Sequence, residues 1–70
     1  MSANEKQVGG EHYILPIQPW DFIIANDLNF LEGNIVKYVT RSRRKGKTVE
    51  DLEKARHYLD KLIEYHVEHL

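Results

Sequence analysis

Lys37, Tyr38 and Arg41 fall within about one helical turn of each other, and Asn34 stands one turn before Tyr38. Two cations beside an aromatic ring suit a ligand that carries both a phosphate and a planar base. An amide at Asn34 could orient the base or its ribose. The surrounding stretch, Gly33 to Thr48, strengthens this reading. It holds six of the ten basic residues (Lys37, Arg41, Arg43, Arg44, Lys45 and Lys47) and no acid. Four basic residues then face eleven acids elsewhere, so a chain of net charge -1 is strongly dipolar. The plain alternative is a helix C-terminus whose cations offset the backbone dipole. Tyr38 has its own alternative as a core or interface tyrosine, and so has Tyr58.

Gly46-Lys47-Thr48 invites comparison with the phosphate-binding loop, but Arg41 stands where the first glycine belongs and no strand precedes the turn. A glycine, a lysine and a helix start can still offer N–H groups and a cation to an anion. This places Lys45 and Lys47 among the candidate ligand contacts. His12 and Tyr13 follow the glycine pair Gly9-Gly10, in a segment that could fold over a ligand or a neighbouring subunit. No metal site is expected. His66 and His69 are three residues apart on one helix without a third ligand. Glu50 and Asp51 read as helix-start acids, and Asp51 with Lys54 as a surface ion pair.

The elements that must position these groups are helical. Met1 to Gln7 reads as a disordered tail, and residues 8–70 as one helical domain. Pro16 and Pro19 make the entry extended, and Pro19 suits the first position of a short helix ending near Asn26-Asp27. Trp20, Ile23 and Ile24 would face inward there. Asn29 and Glu32 have the spacing of a capping box for a second helix. Leu31, Ile35, Tyr38 and Val39 give it a core face, and Lys37, Arg41 and Arg44 or Lys45 lie on another face. That helix should stop near Gly46. Thr48 should cap a third, with Leu52, Ala55, Leu59, Leu62, Ile63, His66 and Val67 as its apolar stripe. The predicted fold is all-α: a Gly/Pro-rich N-terminal arm, one short helix and a long αα-hairpin.

At 70 residues the chain is at most one domain, of a size that usually needs a staple. It has no Cys, so self-association is the expected staple and a homo-oligomer the expected state. No apolar run approaches the roughly 20 residues of a membrane span. The polar start lacks a signal-peptide core, which is compatible with the cytoplasm.

The pattern as a whole resembles a small, largely bacteriophage family of domains of unknown function. The residues that carry the resemblance are His12-Tyr13, Pro19-Trp20-Asp21, Gly33-Asn34 with Lys37-Tyr38 and Arg41, Lys45-Gly46, Asp51-Leu52 with Lys54-Ala55, and Tyr58-Leu59. A related domain occurs in a coliphage nucleotide kinase that lacks the usual phosphate-binding loop and forms a large oligomer. The resemblance therefore implies nucleotide binding at an unconventional helical site. The expected function is a homo-oligomeric phage protein that binds a nucleotide, with sequestration of a cyclic or signalling nucleotide of host defence as its purpose. The expected contacts are Lys37, Arg41, Lys45 and Lys47 on phosphate, and His12, Tyr13, Asn34 and Tyr38 on base or ribose. Two alternatives stay open. One is a kinase-like phosphotransferase with an interface site, which would need Mg2+ held by Asp21 or Asp51. The other is a module that binds DNA, for which the overall charge is unfavourable, or that engages a host protein through its acidic remainder.

Overall fold

The computed structural model describes residues 15–44 and 46–70. The tail, the glycine pair, His12, Tyr13 and Lys45 lie outside them. The described residues form three helices and no strand, the all-α architecture that the periodicity predicts. Among them no helix is long and apolar enough to cross a membrane.

Helix α1 spans Pro19–Ala25 with its proline in the first turn, where the missing N–H has no helical partner to lose. It closes in a Schellman motif: Leu28 N–H donates to the Ile23 carbonyl at 3.0 Å and Asp27 N–H to that of Ile24 at 3.1 Å. Asp27 takes the left-handed position, φ 52°. Of the residues expected to face inward, only Ile23 is half-buried, whereas Ile24 is 77% exposed. A helix of two turns meets only one neighbour, so one narrow face is used.

Helix α2 spans Phe30–Arg41 and carries the expected capping box. Glu32 N–H donates to Asn29 Oδ1 at 2.8 Å, and Asn29 N–H donates to Glu32 Oε1 at 3.0 Å. Leu31, Ile35 and Tyr38 are half-buried as predicted, but Val39 is exposed. The helix ends before the predicted Gly46. Ser42 Oγ donates to the Val39 carbonyl at 2.6 Å, and Arg44 N–H turns back to the Arg41 carbonyl at 2.9 Å. A hydroxyl bonding the last turn competes with continued helix. Gly46 follows at φ 84°, a left-handed conformation that glycine adopts without a steric cost.

Helix α3 spans Thr48–Glu68. Thr48 is its first residue and not its cap; Lys47 holds the cap position, with no side-chain bond to the backbone. Far along the helix, Lys61 and Glu64 pair at 2.8 Å on the exposed surface. Their hydrogen bond and mutual attraction raise the lysine's pKa and lower the carboxyl's.

Helix α2 is central: α3 packs along it and α1 crosses it. At the α1 crossing, a β-carbon built on Gly33 would lie 3.3 Å from Ile23 Cγ2, so glycine sets the close approach. At the hairpin interface Tyr38 and Tyr58 stack with centroids 5.7 Å apart, and Phe30 meets Tyr58 edge-on at 6.0 Å. The apolar interior is thin. Among the described residues Ala55 is the only buried hydrophobic one, while Asp51 is completely buried. The predicted stripe on α3 divides. Ala55 and Leu62 turn inward with Tyr58, whereas Leu52, Leu59, Ile63, His66 and Val67 are exposed.

Candidate functional site

The residues that reach the α1–α2 junction surround a cavity of about 420 Å3. Gln18, Trp20 and Ile23 line one wall, with Leu15 before them. Lys37, Thr40, Arg41 and Arg44 line the other, at steps of three and four along α2 and the turn that follows. That spacing places them on one side of the helix. Thr40 Oγ1 is committed to the Val36 carbonyl at 2.7 Å. The cavity therefore offers an aromatic ring and an aliphatic floor on one side and three cations on the other.

The two arginines are incompletely satisfied. Nε of Arg41 and Nε of Arg44 are buried without a hydrogen-bond partner among the described residues. Buried donors without acceptors are uncommon and costly. Arg41 is also tied to the hairpin. Its Nη2 lies 3.8 Å from Oδ1 of Asp51, an ion pair just beyond hydrogen-bond reach. Both Asp51 oxygens are buried without a hydrogen bond among the described residues. The surface pair predicted for Asp51 and Lys54 is thus replaced by a buried pair between helices. Asp51 shares the inward face of α3 with Ala55, while Lys54 Nζ reaches 5.4 Å from the Tyr38 ring centroid.

Of the residues singled out in the sequence, Lys37 and Arg41 come together at this cavity. Tyr38 turns toward α3 and lines a second hollow of about 390 Å3 with Lys54, His57 and Tyr58. It remains electrostatically joined to the site, because Lys37 Nζ and the Arg41 guanidinium lie 5.1 and 5.3 Å from its centroid. Asn34 donates its amide N–H to the Phe30 carbonyl at 2.8 Å and lines a smaller hollow that also touches Lys37. Lys47 Nζ lies 3.5 Å from Glu50, away from the cavity's lining. His12, Tyr13 and Lys45 fall outside the described residues. The sequence places Trp20 in the core and offers Arg44 only as an alternative to Lys45, whereas both line the cavity. The signal for Trp20 was its position three residues before Ile23, the residue that seats on Gly33. No group of three or more metal-ligating side chains occurs among the described residues. His69 is instead stacked on Tyr65 at 4.2 Å.

A short helix crossing a helical hairpin, with an aromatic and cationic cavity at the junction, defines a small all-α domain. Residues 8–60 match the model of the family described as a protein of unknown function, DUF3310, and the chain belongs to that family. The matched span takes in all the cavity-lining residues and the Asp51 pair. No curated protein and no solved structure matches the chain.

Proposed function

We propose that this protein is a nucleotide-binding homo-oligomer of bacteriophage origin, which holds its ligand unchanged and so withdraws a cyclic or signalling nucleotide from the host. Lys37, Arg41 and Arg44 receive phosphate oxygens, and Trp20 offers its face to the base. His12, Tyr13 and Asn34 keep their places in this reading as contacts to base or ribose. Tyr38 supports the cations from behind.

The observation that carries the reading is the convergence of three cations, Lys37, Arg41 and Arg44, on one cavity that Trp20 also lines. Its size falls within the range of small-molecule sites, roughly 300–1,000 Å3. A hydrogen bond from a charged donor contributes about 1.5–3 kcal/mol, so losing two should weaken binding by at least ~100-fold.

The test is calorimetric titration of mono-, tri- and cyclic nucleotides into the wild-type chain and into Lys37→Ala/Arg44→Ala. Arg41 is spared because it also holds Asp51. The expected result is retention of one nucleotide class by the wild type and its loss in the variant, with circular dichroism unchanged. Equal affinity in both would overturn the site. Release of ADP from ATP in the same mixtures would replace sequestration with the phosphotransferase reading.

A further inference from the structure

Helix α3 carries a second apolar stripe that the hairpin does not use. Starting at Val49, alternate steps of three and four reach Leu52, Arg56, Leu59, Ile63 and His66, and a further step reaches Leu70. This is the a/d spacing of a coiled-coil seam. It lies about a quarter turn round the helix from Ala55, Tyr58 and Leu62, which meet α2. All its apolar members are exposed: Leu59 by 43%, Ile63 by 53% and Val49 by 68%.

We propose that this seam is covered by the same seam of a second copy of the chain, with the two α3 helices antiparallel. The assignment gives a surface to the self-association in the reading above, and it does not depend on the nucleotide. Two features favour a second copy. The hairpin buries little apolar surface of its own, with Ala55 the only buried hydrophobic residue among those described. The exposed seam amounts to on the order of 600 Å2 per copy, near the ~800 Å2 per partner of a standard interface. A surface of this kind can be self-complementary about a two-fold axis.

Charge selects the orientation. Arg56 is the only Lys or Arg on the seam, with Glu53 three residues before it and Asp60 four residues after, both on the rim. None of the three enters an ion pair among the described residues. A parallel pair would stack each a residue on its own copy, setting Arg56 against Arg56. An antiparallel pair alternates a with d, so Arg56 meets an uncharged or imidazole side chain instead. Its guanidinium is then within reach of the acidic rim of the partner subunit.

The test is sedimentation of the full chain across a concentration series, beside Leu59→Asp/Ile63→Asp. Both positions are solvent-exposed in the single chain, so the hairpin should persist by circular dichroism. Leu59→Asn is the milder substitute if it does not. The wild type should associate, and the variant should associate at least ~100-fold more weakly. A wild type that stays monomeric overturns both the seam and the self-association. An associating wild type with an unchanged variant overturns the seam alone and leaves the oligomer and its ligand standing. Orientation is read with His66→Cys in this cysteine-free chain. A parallel pair brings the two cysteines within disulfide reach, under about 7 Å between Cα atoms, whereas an antiparallel pair holds them apart. Assembly without cross-linking is expected, and efficient cross-linking overturns the antiparallel arrangement.

Discussion

The buried pair between Arg41 and Asp51 makes an asymmetric prediction. Asp51 has no exposed side-chain surface, whereas Arg41 keeps 32% of its own. At 3.8 Å the attraction is worth about 4 kcal/mol at an effective dielectric near 20, offset by the cost of taking both groups out of water. The two single deletions should then differ. Asp51→Asn leaves an arginine that can regain water, and it also removes an acid from the first turn of α3, worth about 0.3–1 kcal/mol. Its total cost should be about 1 kcal/mol. Arg41→Met leaves a carboxylate buried without a partner, which should cost about 3–5 kcal/mol. A chain of this length has a total stability of roughly 4–10 kcal/mol, so the second variant stands near the limit of folding. The double variant, Arg41→Met/Asp51→Asn, should recover to within about 1 kcal/mol of Asp51→Asn alone. Urea unfolding followed by circular dichroism at a single chain concentration measures all three. If Asp51→Asn costs as much as Arg41→Met, or if the double variant is additive, the pair is not the arrangement described.

Two further substitutions test how the helices are placed. Asn29→Ala removes the reciprocal cap of α2 and should cost about 1 kcal/mol in the same urea series, and no loss would show that the box is idle. Gly33→Val adds methyl groups beyond a β-carbon that already lies 3.3 Å from Ile23, so it should force α1 outward at a cost of about 1–3 kcal/mol and broaden the Trp20 fluorescence; a variant as stable as the wild type would mean that α1 has no fixed seat on α2.

The parts of the fold legible in the sequence are those set by residues a few positions apart. Pro19 and the Asn29–Glu32 box mark helix starts because their partners are local. Thr48 reads as a cap but is the first residue of α3, since a threonine at a helix start carries that signal whether or not its hydroxyl bonds the backbone. The division of the α3 stripe was not legible. Periodicity shows that Leu52, Ala55, Leu59, Leu62 and Ile63 share one broad side of a helix, but not which edge of it meets α2. Asp51 misled for a related reason. Acids in the first turn of a helix are usually solvated, and only the hairpin's crossing shows this one inside. At the site, the α2 cations were readable from spacing alone, whereas Trp20 required knowing that Gly33 lets α1 come close.

Arg41 is where the architecture and the candidate site meet. Its guanidinium is approached by Asp51 from α3 and lies over the Tyr38 ring, and its side chain lines the cavity. A cation restrained on two sides loses less conformational freedom when a third group binds it than a free lysine would. Asp51 lowers the positive charge of the site, but it also fixes the direction in which the remaining charge is offered. Lys37 has the opposite character: it is exposed at the rim, has no acid paired to it among the described residues and is suited to drawing an anion inward. Arg44 stands between these extremes, half-buried like Arg41 but with no acid paired to it among the described residues. The three cations thus form a gradient from attraction at the rim to orientation at the hairpin. In the proposed reading, that order suits a ligand whose phosphate enters beside α1 and comes to rest against α2.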